Sequence, residues 1–331
     1  MATHLRYTAR ASATLLIGAV YDPRVSGDVL IRQLEYLVAL GRERHFGRAA
    51  AACHVSQPTL SAAIRKLESE LDAVIVLRGR RFEGFTDEGG RVLGWAHRIL
   101  AERDALHADL DRMRDGITAT ARIGAIPTAI PATPLITDLF GRRNPLARVR
   151  IEALPSREIS RRLTEFELDA GVTYLDDETP PGTRRVELYR ERYLLLLRDD
   201  DPHAADDVVT WEAAGRMPLC ALPPSMRNRR ILDATMASVG ERLDPVVEAD
   251  SVDGLYAHVA SRRLASIVAH TWLHAFGVPA GMCARPLAEI RPRPVVGLIV
   301  PDREPASIVA EALVDVVTGA DIGRSLEDAV P

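Results

Sequence analysis

Ser56, Gln57, Thr59, Ser61 and Arg65 stand within ten residues, inside FGRAAAACHVSQPTLSAAIRKLESEL, Phe46–Leu71. They are the residue types that read nucleic acid. Gln pairs with adenine, Arg with guanine, and Ser or Thr with base edges or phosphates. Such groups reach DNA when they cluster near the start of a helix that enters the major groove. Ser56 is a good N-cap, and Pro58 is tolerated in the first turn, where its missing N–H costs little. Leu60, Ile64, Leu67 and Leu71 form the buried stripe of this helix, which leaves the polar set on other faces.

Other chemistries find little support. G-x-G-x-x-G, the phosphate loop G-x-x-x-x-G-K and the G-x-S-x-G elbow are all absent from the sequence, and no nucleophile–base pair stands out, so the chain is read as a non-enzyme. Cys53, Cys220 and Cys283 are far apart and make neither a C-x-x-C nor a zinc spacing, which fits a reducing cytoplasm. His270 and His274 stand four apart, but the third ligand of a metal site is missing, so no metal or cofactor is expected.

The elements that must position the polar helix follow from periodicity. Ile31, Leu34, Leu37 and Val38 predict a first helix over Ile31–Glu43, and Phe46–Cys53 a second, alanine-rich and closely packed. His54 and Val55 make the turn before the polar helix. Val74–Leu77 and Phe82–Phe85 are short strands around the basic turn Arg78-Gly79-Arg80-Arg81, a wing. Thr86 caps a helix reaching about Arg114, ~40 Å long at 1.5 Å per residue. Val92, Ala96, Ile99, Leu106, Leu110 and Met113 mark its apolar edge, suited to pairing with a second copy. Beyond Gly116, strands and helices alternate: strands at Ala121–Ile126, Arg148–Leu154, Ala170–Tyr174, Tyr193–Leu197, Pro218–Leu222, Val246–Ala249, Ser266–Ala269 and Val295–Val300, with helices between. That alternation predicts an α/β body of doubly wound sheets in two lobes.

The charge is uneven. The chain of 331 residues carries −4 overall, yet Leu30–Arg81 holds nine Arg/Lys against five Asp/Glu, so +4 there leaves −8 elsewhere. A basic module on an acidic body suits a nucleic-acid reader joined to something else. No apolar run reaches the ~18 residues that span a bilayer, so no membrane partner is expected. Ala13–Val20 behind Arg6 and Arg10 faintly resembles a signal peptide; residues 1–28 read instead as a disordered extension or as a misassigned start before Val29. The expected organisation is an extension over 1–28, a winged helix-turn-helix over 29–87, a linker helix over 88–116 and an effector-binding body over 117–320. Lobe I takes about 117–190 and 297–320, lobe II 191–296, and 321–331 are a tail.

RQL, F-x-x-A-A, VSQPTLS, IRKLE, LR-x-x-R and FT-x-x-G, in that order, make residues 30–320 resemble LysR-type transcriptional regulators. The resemblance implies a winged helix-turn-helix, a dimerising linker helix and a two-lobed sensor like the periplasmic binding proteins. It further implies a cytoplasmic homodimer or homotetramer that binds double-stranded promoter DNA and works with RNA polymerase. On DNA it places Ser56, Gln57, Pro58, Thr59 and Ser61 at the recognition-helix start and Arg65 against a base edge or the backbone. Arg32 and Gln33 then lie near a phosphate, and Arg78, Arg80 and Arg81 on the wing. Two departures stand out: Cys53 occupies a position usually held by leucine, and Asp87-Glu88-Gly89-Gly90 is an unusually acidic helix start. For an inducer the resemblance implies Pro127, Thr128 and Ala129, then Ser156 and Arg157, then Met226, Arg227, Asn228, Arg229 and Arg230. Ser156 as a helix cap beside free N–H groups, and three arginines at another helix start, agree with a small organic anion. GAIPTAIPATPL, SREI, FELDAGVTYLDDE and YRERYLLLL resemble the branch found beside formate dehydrogenase genes, which makes formate a candidate inducer. A redox-responsive regulator of the same family and a solute-binding protein are the alternative readings.

Overall fold

The structure, a computed structural model, describes residues 31–78, 82–115, 117–261, 263–289 and 293–327. The expected extension over 1–28, Arg80 and Arg81 fall outside the described residues, as do the side chains of Arg78 and Met113. The chain divides into two compact units, one up to Arg103 and one from Asp104.

In the first unit α1 (Ile31–Glu43), α2 (Phe46–Ala52) and α3 (Gln57–Leu71) enclose one core. Their buried faces are Leu34, Leu37 and Leu40, then Ala49 and Ala50, then Leu60, Ile64 and Leu67. The small alanines let α2 approach its neighbours closely. His45 caps α2, its Nδ1 accepting from the N–H of Gly47 at 3.1 Å and of Arg48 at 3.3 Å. His54 takes a left-handed conformation (φ 55°) in the turn, and Asp72 another (φ 48°) that ends α3. β1 (Val76–Arg78) and β2 (Phe82–Phe85) pair antiparallel as the wing. Thr86 then starts α4 (Asp87–Asp115), its Oγ1 accepting from Gly89 N–H at 2.8 Å.

The helix α4 corrects part of the expected dimerising edge. Ala96 is fully buried and Val92 packs on the same core as α1 and α3. The exposed apolar positions are Trp95, Ile99, Leu106 and Leu110. Burial, which periodicity alone does not assign to a particular neighbour, separates the inward residues from the outward ones.

The second unit has two lobes. Lobe I is a five-stranded sheet in the order β4-β3-β5-β12-β6. Its strands are β3 (Thr120–Ala125), β4 (Arg148–Ala153), β5 (Ala170–Tyr174), β6 (Thr183–Arg190) and β12 (Val295–Pro301). β4 and β5 flank β3 in parallel, whereas β12 runs antiparallel to both β5 and β6. α5 (Thr133–Arg143), α6 (Ser156–Thr164) and α11 (Ile308–Thr318) cover it. Lobe II holds the antiparallel sheet β10-β7-β11 and the pair β8-β9. These are β7 (Tyr193–Arg198), β8 (Cys220–Ala221), β9 (Val247–Glu248), β10 (Ser266–Ala269) and β11 (Met282–Pro286), with α7 (Trp211–Gly215), α8 (Arg227–Ser238), α9 (Val252–Ser261) and α10 (His270–Phe276).

Three elements depart from the sequence reading. β6 was not anticipated, because its charged residues Arg184, Arg185, Glu187 and Arg190 are exposed on an edge strand and mask its register. β11 was missed too, with only Ala284 buried among its five residues. Part of the expected tail forms α12 (Ile322–Glu327), which buries Ile322 and Leu326 in the lobe I core. Among the described residues no helix is long and apolar enough to cross a membrane.

Candidate DNA-reading face and ligand cleft

The start of α3 presents its polar residues outward. Ser56 caps the helix, its Oγ accepting from Thr59 N–H at 3.2 Å and lying 2.7 Å from Thr59 Oγ1. Gln57, Pro58, Thr59 and Arg65 are exposed and Ser61 is half-buried, while Leu60 and Ile64 anchor the opposite face. Arg32 is exposed at the start of α1. Gln33 is not available to a phosphate as expected. It is 3% exposed, because it shares a helical face with Leu37 and Leu40 and turns into the core. Helical spacing decides this over the family position.

In the second unit, Pro127, Thr128, Ser156, Met226, Arg227 and Asn228 line one small cavity of about 10 Å³ with Tyr174 between them. The strand ends of lobe I and the start of α8 in lobe II bring these together. Neither helix start carries a side-chain cap: Pro155 precedes α6 and Met226 precedes α8. Ser156 is therefore the first helical residue rather than the cap, and its Oγ accepts from Thr173 Oγ1 at 3.1 Å. The carbonyls of Pro127 and Thr128 are held by Trp272 Nε1–H and Thr271 Oγ1–H at the start of α10.

The arginines divide. Arg227 lines the cavity but spans the lobes, with Nε donating to Asp176 at 2.8 Å and Nη1 to Glu178 at 3.1 Å. Arg230 donates to the same Glu178 at 2.7 Å. Asp176 and Glu178 follow β5, so these pairs latch lobe I to lobe II. Arg229 does not reach the cavity. Its guanidinium is buried within lobe II, donating to Asp233, Glu248 and the Leu222 carbonyl, each at 2.9 Å. Arg157 is exposed and does not line the cavity either. Two neighbours on one helix thus point opposite ways, which a run of arginines does not disclose.

Behind the cavity lies a buried polar network that sequence reasoning missed. Tyr174 Oη donates to Glu191 Oε2 at 2.6 Å, and Asn228 Nδ2 donates to Tyr174 Oη at 3.1 Å and to Tyr193 Oη at 3.3 Å. Burial pushes the Glu191 carboxyl up, partly offset by these hydrogen bonds, and holds the phenols of Tyr174 and Tyr193 well above their usual range. Glu191 sits in YRERY, where it reads as one more surface charge between strands.

Two family descriptions match the chain: "Bacterial regulatory helix-turn-helix protein, lysR family" over residues 31–90 and "LysR substrate binding domain" over 114–321. The chain belongs to the LysR family. It is 35% identical over 180 residues to the Escherichia coli K12 "DNA-binding transcriptional dual regulator OxyR", covering 54% of this chain and 59% of that protein. It therefore spans under two thirds of that relative's length in the match. A full-length OxyR variant from Pseudomonas aeruginosa has a similar structure, with TM-score 0.71 and 25% identity, covering 89% of this chain and 97% of that one. CbnR complexed with its target DNA shares the fold, with TM-score 0.64 at 19% identity over 89% of this chain and 99% of that one. The OxyR relatives lend no support to the formate dehydrogenase branch that the sequence motifs suggested.

Proposed function

We propose that this chain regulates transcription by gripping promoter DNA with α3 and the wing, under control of a small organic anion in the cleft. The observation that carries the DNA half is the outward face of α3, where Gln57, Thr59 and Arg65 are exposed on a helix capped by Ser56. The DNA-bound CbnR relative supports the same use of the fold. Phosphate contacts dominate such affinities and base contacts set preference. Gln57→Ala and Arg65→Ala should each weaken binding to the native promoter by ~10–100-fold, as loss of a good base contact does. Fluorescence anisotropy on promoter and scrambled duplexes measures this, and unchanged promoter binding in both variants would refute the assignment. Trp95, Ile99, Leu106 and Leu110, two pairs four apart repeated after 11 residues, share the exposed side of α4 and suit pairing with a second copy.

The anion half rests on the paired, uncapped starts of α6 and α8 at one cavity, which present backbone N–H groups to a ligand. The cavity holds little more than one water-sized group, so a larger acid requires the Arg227–Asp176–Glu178 latch to loosen. Asp176→Asn with Glu178→Gln should therefore raise affinity for small carboxylates several-fold, because it frees Arg227. Calorimetry of the full chain with formate and acetate tests this; equal or weaker binding in the double variant contradicts it.

A redox trigger is favoured by the OxyR relatives, but not by the thiols. Cys220 is buried, with burial pushing its thiol up, and burial outweighs Arg285 to raise Cys283 as well. Raised thiols hold less of the reactive thiolate.

A further inference from the structure

Glu191 is 1% exposed and stands one side chain back from the cleft cavity, which it does not line. Tyr174 connects the two. Its Oη donates to Glu191 Oε2 at 2.6 Å and lies 3.4 Å from Thr128 Oγ1, while Asn228 Nδ2 donates to it at 3.1 Å. Tyr174 and Thr128 belong to lobe I and Asn228 to lobe II, and all three line the cavity. Glu191 Oε1 is buried without a partner among the described residues.

No cation is paired with this carboxyl. Arg192, next in the chain, has Nε and Nη2 buried and unpartnered, and borders a separate cavity of about 230 Å³ with Trp211, Glu289 and Arg293. Glu289 and Arg293 pair with each other at 2.6 Å. His270, whose Nδ1 accepts from Arg192 N–H at 3.2 Å, is neutral, pushed down to about 4 by burial and then by Arg192. Tyr189 of β6 and Tyr193 of β7 are neutral phenols, held well above their usual range by burial. On the cleft side Arg227 is occupied by Asp176 and Glu178. Burial therefore dominates and raises the Glu191 carboxyl, despite its hydrogen bonds from Tyr174, Tyr193, Thr128 and Asn228.

Counting protons shows what this does to the cleft. A hydroxyl has one proton and two lone pairs, and an ionised carboxylate has no proton. While Glu191 is ionised, the Tyr174 proton is spent on it and Tyr174 offers the cavity only a lone pair. An entering anion then meets that lone pair with a buried negative charge behind it. A protonated Glu191 reverses the order. Its own O–H donates to Tyr174 Oη, Asn228 fills the second lone pair, and the Tyr174 proton is free to point into the cavity.

We propose that Glu191 is a proton-linked positioning residue of the cleft, so that an anion binds there together with one proton. The proton goes to Glu191 Oε2, and Tyr174 Oη–H turns to the anion beside the backbone N–H groups at the starts of α6 and α8. The inference rests on the reading of the cleft as an anion site and adds that the response follows pH. Affinity is full where Glu191 is neutral and falls as pH rises through its titration, which burial places above the ordinary carboxylate range.

Calorimetry of the full chain with formate and acetate, at about pH 6 and about pH 8.5, tests this, since both acids stay ionised throughout. Wild-type affinity should fall about tenfold or more between the two, one linked proton allowing at most about tenfold per pH unit. The binding enthalpy should also change between buffers of unlike ionisation enthalpy, as proton uptake requires; this needs no variant. Glu191→Gln keeps a donor facing Tyr174 without titrating. It should bind at the higher pH as tightly as the wild type does at the lower, with no proton uptake. Tyr174→Phe removes the relayed donor and should weaken binding at the lower pH at least fivefold while flattening the pH profile. Binding that is equal at both pH values without proton uptake overturns the proposal and leaves the anion site standing. A wild-type pH profile in a folded Glu191→Gln chain overturns it as well. Absence of binding by either acid at any pH overturns the anion reading and this inference with it.

Discussion

Gly89→Ala is expected to cripple the DNA-binding unit. A Cβ there would stand 2.0 Å from the Ile75 carbonyl oxygen and 2.8 Å from its carbon, which no side-chain adjustment relieves. The start of α4 crosses the chain just before β1 at this point. Thr86 N–H donates to the same Ile75 carbonyl at 3.1 Å, and Gly89 N–H donates to Thr86 Oγ1. Pushing α4 outward breaks the cap and separates α4 from Ile75 and Val76 in the core. Backbone displacement of this kind costs ~3 kcal/mol or more. Gly90→Ala is the control. It meets nothing within 4 Å, so it should gain ~0.5–1 kcal/mol from helix propensity. Thermal unfolding of both variants, with promoter binding read at low temperature, compares them. If Gly89→Ala matched Gly90→Ala in stability, the close approach of α4 to Ile75 would be wrong.

Arg229→Ala should destabilise the second unit by ~2–3 kcal/mol. A buried ion pair broken from one side typically costs more, but Asp233 and Glu248 are each close to half exposed, and water screens what remains. The carbonyls of Leu222 and Leu243 also lose a donor. At temperatures where the variant is folded, its affinity for cleft ligands should equal that of the wild type. This outcome separates a structural arginine from a ligand-binding one. A variant with unchanged melting temperature but no response to carboxylates would return Arg229 to the cleft, as its sequence position first suggested.

The contrast between Gly89 and Arg229 shows what kinds of signal a sequence carries. The acidic stretch Asp87-Glu88-Gly89-Gly90 looked only like an unusual helix start, since nothing in it names Ile75 as the neighbour. The residues SMRNRR, Ser225–Arg230, looked like one cationic cluster. The structure disperses them: Arg227 and Arg230 to lobe I acids, Arg229 into lobe II. Gln33 fared similarly, because a polar residue on an apolar helical face is buried with its face.

What the sequence by itself determined was local and periodic. The bounds of α1, the Ser56 cap, the buried Leu60, Ile64 and Leu67 of α3, the wing and the two-lobed α/β alternation all follow from spacings of a few residues; Leu71, expected in the same stripe, is exposed because the helix ends there. Family motifs sharpened the same elements. Only the tertiary structure decided which charges meet. Arg227 finds Asp176 and Glu178 about fifty positions away, Glu191 meets Tyr174 and Asn228, and Arg192 is left without a partner beside Trp211. Long polar side chains can pair in many ways, and their choice depends on which strand ends and helix starts the fold brings within 3 Å, a distance that hydrophobic periodicity does not encode.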